Sequence, residues 1–549
     1  MASDDPTGPQ LAADAADQPA AGGAPKPAGA DPGPASGGSV TPRRWSTRLP
    51  SPPVRLWIAI FAVSLGAFLI RFLVPTPVAQ ADNRDGPRLM CGLGLAPVTH
   101  GHPRFFRFAY FEYVRSPGCA GRAPYLSSQL VPLELGRLLT PVFGLPGSLN
   151  MIAVGVIMCA LASVGIASLA VGLRVRLWAQ LLVAVVVWVI VADSAFFDVF
   201  AGPFSEPAAL VGLLLIAAGA VYLRRGWHLT VFGLVLIGVG GAAAILSKEQ
   251  YLVLVAPTCL LLVLATADPG RWWDLRRFRT RECGAAFAVA LLLLVLTGGY
   301  LAWDFGSHYG KRLHYIQAVD MIFTDIVTTP HNAPAGLRAL GLPASWKKYA
   351  GHYYWDTGSV RNNPQFDRYE PELTDGNIAR YLVTHPGSIV RIGQNAARQA
   401  QLLQVTALGD YEPSAGHPPG AVESRVAVLT WLMHRLPRRL GLIWYLPLWA
   451  VMTGIALMAL GWSRRRPWNR DGAVLVLCMT GCAVLAFIPP AYFAGISTTR
   501  HMVGMNLATA LAFTISCGLV VSLIRQFAAR RQPPPGPVPT VPELTSSIV

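Results

Sequence analysis

Two carboxylates, Asp82 and Asp85, stand close together in the stretch Ala81-Asp82-Asn83-Arg84-Asp85-Gly86-Pro87-Arg88-Leu89. The stretch follows directly on the first long apolar segment of the chain, residues 56–74. Acid/base chemistry is thereby placed at the boundary between lipid and water. Asp85 is preferred to Asp82 as a general base because it adjoins Gly86-Pro87, a turn pair that holds a short side chain rigidly; both remain candidates. The plain alternative for either is a solvated loop carboxylate or a helix N-cap. Arg84 and Arg88 flank Asp85. A neighbouring cation lowers a carboxylate's pKa and weakens it as a base, unless a bound phosphate engages the arginines instead.

Other candidates recur at the ends of apolar runs. Glu206 opens one after Pro203-Phe204-Ser205, where a carboxylate also simply favours the helix dipole. With Asp198 it either orients acceptor hydroxyls across a cavity from Asp85 or completes a divalent-cation site (Mg or Mn), since hard cations want several oxygens. The residues alone specify no cofactor. Lys248 and Glu249 sit between two apolar runs, where charges are costly in lipid; they pair with each other or Lys248 faces a phosphate. Arg500 and His501 open the last apolar run. Arginine's planar fork suits phosphate oxygens, and replacing Arg500 with Ala is expected to spare folding. His501 by itself reads as packing or interfacial.

The elements that must position these groups are membrane helices. Across 549 residues the chain is 53% hydrophobic and only 13% charged, with mean hydropathy +0.42, against about 25% charged in soluble domains. The formal charge of +16 does not mark a nucleic-acid surface, because the basic residues fall in short clusters between apolar runs. Runs of spanning length lie near residues 56–74, 149–173, 177–192, 208–223, 229–247, 251–267, 284–302, 440–462, 472–493 and 502–524. They predict an all-α polytopic membrane protein of about ten transmembrane helices.

Arginine clusters after every second run (Arg174/Arg176, Arg224/Arg225, residues 271–281, Arg464 to Arg466, Arg525/Arg530/Arg531) are cytosolic by the positive-inside rule, and so are both termini. The expected organisation is a disordered cytosolic tail (1–54) and an N-terminal transmembrane module of about seven helices (55–302) with a first outer loop at 75–148. A mainly helical extracytoplasmic insertion (303–439), C-terminal transmembrane helices (440–524) and a second cytosolic tail (525–549) follow. Arg43-Arg44 ahead of an apolar run and Ala79-Gln80-Ala81 imitates a cleaved signal peptide, but the run exceeds the roughly 7–15 residues of a signal core.

All the candidate residues then face outside, where nucleotides are absent but lipid-linked intermediates are present. An activated sugar on a polyprenyl phosphate fits. Its transfer needs a base for the acceptor hydroxyl and cations for the departing phosphate; no general acid is required. Direct displacement inverts the anomeric carbon. In this reading Arg500, Lys248, Arg88 and His501 lie on the donor-phosphate side.

Several motifs resemble a group of bacterial hexose transferases for S-layer-type cell-surface glycans, within the GT-C class of integral-membrane glycosyltransferases. They are Asp82-Asn83-Arg84-Asp85 with Arg88-Leu89, Tyr125-Leu126-Ser127-Ser128-Gln129, Phe204-Ser205-Glu206-Pro207, Leu340-Gly341-Leu342-Pro343, His385-Pro386-Gly387 and Arg500-His501. The resemblance implies a catalytic acid in the first outer loop, a second carboxylate in the second, a polyprenyl-phosphate sugar donor and a cell-envelope glycan acceptor. It also implies the bacterial cytoplasmic (inner) membrane, with the active site facing outside. The chain departs from the pattern at Arg84, where the family has a small residue, and at Phe204, where it has Tyr.

Cys91 and Cys119 share the first outer loop in an oxidising compartment, so a disulfide is expected there. The aromatics Tyr309, Tyr315, Tyr349, Tyr353, Tyr354, Trp355 and Tyr369 of the long outer segment suit sugars, though any surface domain contains such residues. A lipid or solute transporter, or a non-catalytic envelope-assembly protein, would share the helix count. Acid substitutions separate these classes, because only an enzyme should lose transfer.

Overall fold

Segments that are apolar around their whole circumference have no soluble face, so they fold as helices that are buried in one another or in lipid. A computed structural model of the protein describes residues 52–119, 125–266, 281–328, 333–437, 439–461, 467–495 and 498–531. The expected N-terminal tail up to residue 51, residues 532–549 of the C-terminal one and the basic positions 271–280 and 464–466 lie outside the described residues.

Among the described residues seven helices are long and apolar enough to cross a membrane: Pro53–Leu73, Met151–Gly172, Trp227–Ile245, Arg281–Gly306, Leu442–Gly461, Asn469–Tyr492 and Val503–Ala528. Three shorter apolar helices, Leu177–Val191, Glu206–Ala220 and Glu249–Ala265, bring the apolar segments to the ten read from the sequence. The protein is a helical, multi-pass integral membrane protein. A 15-residue helix spans only about 22 Å, short of a hydrocarbon core of about 30 Å. Glu206–Ala220 does not need that length, because all of its residues are buried by protein.

Small residues bring helices close where lipid offers no competing hydrophobic force. Glu206–Ala220 and Trp227–Ile245 meet through two glycine pairs. A Cβ on Gly212 would lie 2.5 Å from the Gly240 carbonyl oxygen, and one on Gly219 would lie 2.5 Å from that of Gly233. The final helix runs on to Arg531, so residues 525–531 continue it, where the sequence suggested a tail.

The segment between the first two membrane helices holds an element the sequence did not announce, a small antiparallel sheet. β1 (Leu95–Pro97) pairs with β2 (Glu112–Arg115), Leu95 opposite Arg115, and β2 pairs with β3 (Leu149–Asn150), Glu112 opposite Asn150. Cys91 and Cys119 are disulfide-bonded beside it, with Cα atoms 4.8 Å apart.

The long segment is helical, including Asp375–Thr384 and Pro386–Ala400 broken at His385-Pro386, and it has a core of its own around Trp346, Phe323 and Phe366. That core gives several of the aromatics a packing role. Tyr315, Tyr349, Tyr354 and Tyr369 pack against it, while Tyr353 and Trp355 stay exposed; the Tyr309 side chain lies outside the described residues.

Candidate functional site

Asp82 builds the turn that presents Asp85. One oxygen of Asp82 accepts the backbone N–H groups of Arg84 (2.8 Å) and Gly86 (2.9 Å), and the Asn83 side chain accepts that of Asp85 (3.2 Å). The turn passes through Arg84 at φ 85°, a left-handed conformation that suits a small residue better than a long one. Arg84 stands where the resembled family has a small residue; its guanidinium lies 5.9 and 5.6 Å from the Phe105 and Phe106 ring centres. Burial pushes the Asp82 carboxyl up to about 6, against the N–H groups of Gly86 and Arg84 and the charge of Arg104.

Asp85 meets residues from the far end of the chain. Its carboxylate is ion-paired with the Arg500 guanidinium and lies 3.5 Å from Arg88. Burial alone would raise its pKa, but Arg500, Arg88 and Lys248 outweigh burial and hold the carboxyl well below the usual range. Its side chain is 29% exposed, whereas that of Arg500 is 2% exposed.

Arg500 is the hub. It donates to Asn83 (3.1 Å), lies 3.7 Å from Glu206, and stacks its guanidinium 4.8 Å from the centre of the Phe204 ring. Phe204, where the resembled family has Tyr, thus offers an aromatic face to a cation. Burial opposes the charge on Arg500, yet Glu206 and Asp85 hold its pKa above the ordinary arginine value. Such burial argues against the expectation that its loss spares folding, because removing it would take a shared partner from two carboxylates, leaving Arg88 beside Asp85 and Lys248 beside Glu206.

Lys248 does not pair with Glu249. Its ammonium lies 3.1 Å from Glu206 and 2.9 Å from His501 Nε2, while Glu249 accepts from Tyr125 (2.9 Å) and Gln317 (3.2 Å). The turn is braced by the Tyr125-to-Gln129 motif, with Ser127 donating to the Ser247 carbonyl (2.7 Å) and Ser128 N–H to that of Leu246 (2.8 Å). His501 is more than packing. Nε2 faces both Lys248 and Arg500 (3.1 Å), so it accepts as a neutral ring; burial and those two cations keep its pKa well below the ordinary value.

Asp82, Asp85, Arg88, Glu206, Lys248, Arg500 and His501 therefore come to one place. Asp198 does not join them. It is buried against Arg71 (3.3 Å), and Arg71 also meets Glu423 (3.5 Å); Gln404 lies 3.5 Å from Asp198. A cation inside an apolar helix needs a carboxylate partner, so Arg71 was a signal in the sequence that some carboxylate would be engaged away from the Asp85 site. Burial pushes Asp198 up, and Asp410 beside it up to about 8. Among the described residues no group of three or more His, Cys, Asp or Glu side chains is arranged to hold a metal ion.

Asn83, Phe204 and Gln250, which donates to the His501 carbonyl (3.1 Å), are contributors that residue types alone did not single out. The arrangement presents an accessible carboxylate beside three cations that can accept an anion. Comparison with curated proteins and with solved structures finds no match. Residues 47–533 match the family model of the YfdI N-terminal transmembrane domain, and with most of its length inside that match the chain belongs to this family.

Proposed function

We propose that the protein is an inverting GT-C-type glycosyltransferase, a hexosyltransferase that moves a sugar from a polyprenyl-phosphate donor to a cell-envelope glycan or lipid-linked acceptor. The reaction takes place at the outer face of the bacterial cytoplasmic membrane, with both termini cytosolic. The family is GT-C-like and associated with membrane glycosyl transfer, and the sequence motifs resemble S-layer-type hexose transferases. The observation that carries the reading is the convergence of Asp85 with Arg500, Arg88 and Lys248 around Glu206.

Those three cations face Asp85 and Glu206, with His501 neutral. A donor phosphate competes with Asp85 for them. When phosphate oxygens take the Arg500 and Arg88 contacts, Asp85 loses two of the three cations that depress its basicity. The acceptor hydroxyl oxygen then attacks the anomeric carbon and its proton passes to Asp85. The bond from that carbon to the phosphate oxygen breaks, and the electron pair leaves with the phosphate, whose growing charge the fixed cations stabilise. Asp82 holds the turn rigid.

The test is turnover of a panel of polyprenyl-phosphate sugars by the purified protein in lipid, read as transfer and as released polyprenyl phosphate. Release is expected with one donor and its loss in Asp85→Asn. A folded wild type inert to the whole panel, or equal release from the variant, would overturn the reading.

A further inference from the structure

A cavity of about 1110 Å³ lies away from the Asp85 cluster, between the helices Leu177–Val191, Leu442–Gly461 and Val503–Arg531. It exceeds the roughly 300–1,000 Å³ of small-molecule pockets. Its walls are apolar along most of their length, with Leu182, Val186 and Phe513 among them. Leu182 and Phe513 are about half exposed, so the cavity opens sideways to the surrounding lipid.

Its two ends differ in charge. At one end Tyr445 donates to Asn506 (2.8 Å) and Trp449 to Thr509 (3.1 Å), so these polar groups satisfy one another. The other end is lined by Arg174, Arg176 and Arg525. Arg525 lies roughly 33 Å along the final helix from Val503, close to a bilayer's hydrocarbon thickness, and therefore at the opposite membrane surface from Arg500. The nearby Asp471 pairs with Arg225 (3.9 Å). Among the described residues Arg174, Arg176 and Arg525 make no ion-pair contact with a carboxylate, although Arg174 lies within electrostatic reach of Asp471.

We infer that this groove is a binding site for an anionic two-chain glycerophospholipid of the leaflet opposite the Asp85 cluster. Its phosphate sits among Arg174, Arg176 and Arg525, and its acyl chains run along Leu182, Val186 and Phe513. Charge complementarity selects this occupant. A polyprenyl-phosphate donor engaged by Arg500 would carry its phosphate at the other membrane surface and would gain nothing from these arginines. The inference does not rest on the transferase reading.

The experiment titrates the full-length protein in detergent with phosphatidylglycerol or phosphatidylcholine and counts bound lipid by native mass spectrometry. Tight binding of phosphatidylglycerol over phosphatidylcholine is expected. Each arginine near a membrane surface contributes roughly fivefold to anionic-lipid binding, so the combined Arg174→Gln, Arg176→Gln and Arg525→Gln variant should bind phosphatidylglycerol about 10²-fold more weakly. Val186→Trp, which fills the groove and keeps the arginines, should also lose bound lipid, and it serves where the triple variant fails to fold. Equal binding of both lipids, binding unchanged in the folded variants, or displacement by polyprenyl phosphate that is insensitive to the three arginines would each overturn the inference.

Discussion

The Arg500 guanidinium closes on the Asp85 carboxylate across 415 residues of sequence. One residue belongs to the turn after the first membrane helix and the other to the short helix before the last. Their pairing ties the two segments together, and in the proposed reaction the donor phosphate would compete with Asp85 for the same Arg500 donors.

Asp85→Asn keeps the side chain's shape but removes its charge and basicity. Transfer from a polyprenyl-phosphate sugar should fall by about 10²–10⁴-fold, the scale of a general base, while donor binding persists. Retained transfer here together with its loss in Asp82→Asn would move the base to Asp82. Retention in both would remove the enzyme reading built on this loop.

Arg500→Ala removes the partner that Asp85 and Glu206 share and should cost up to about 3–5 kcal/mol, read as a lower thermal midpoint in detergent. Arg500→Lys keeps the charge and should recover much of that loss. It lacks the fork that reaches Asn83, Asp85 and Glu206 together, so its transfer should remain at least about tenfold below wild type, the effect of roughly one charge-assisted hydrogen bond. Full activity in the lysine variant would reduce Arg500 to a generic cation.

Asp82 has a pKa raised from 3.8 to about 6. The folded state thus binds its proton more tightly than the unfolded state, so the ionised group costs stability above pH 6 and the cost fades as pH falls towards 4. Two units correspond to about 3 kcal/mol. Asp82→Asn retains the oxygen that accepts from Arg84 and Gly86, so it should be more stable than wild type at pH 8, with the gain shrinking by pH 4. A pH-independent difference would mean that Asp82 is not protonated across this range.

His314 is held between Asp304 and Asp375, 2.9 Å from each, and the hydrogen bonds to Asp304 and Asp375 push its pKa from 6.5 up to about 10 despite burial. A raised histidine stabilises fully below pH 6.5 and loses that contribution as pH rises through 10. Thermal midpoints of wild type and His314→Gln should differ most near pH 6 and converge by pH 10. A gap that widens with pH would contradict the ion-pair account.

Gly219→Leu forces a side chain into the Gly233 carbonyl and the Ile237 side chain and should cost about 1–3 kcal/mol or more through overpacking. Gly454→Leu, in a membrane helix with nothing within 4 Å of an added Cβ, should leave the thermal midpoint unchanged. Equal effects at both positions would show that the glycine contact does not hold these helices together.

Much of the protein was legible in its sequence because membrane insertion is a local property. Each apolar run declares its own need for lipid or protein around it, so the ten helical segments and the break at His385-Pro386 follow from runs of residues without any knowledge of their neighbours. The same topological sorting placed Asp85, Glu206, Lys248 and Arg500 near helix ends, and Cys91 with Cys119 in one loop.

Which of these groups meet was decided only by tertiary structure. Asp85 and Arg500 share no local pattern, and neither do Glu206 and Lys248; the packing of helices distant in sequence brings their ends together. For the same reason Asp198 was lost to Arg71. A buried cation takes the nearest carboxylate that folding supplies, and which one is nearest depends on how the first helix lies against the loop after the Leu177–Val191 helix. The small sheet was hidden too, since strands of three, four and two residues are too short for an alternating pattern and exist through cross-strand pairing. Sequence alone determines which residues need a partner, because that need is intrinsic to charge and polarity. The identity of the partner is a property of the packed fold.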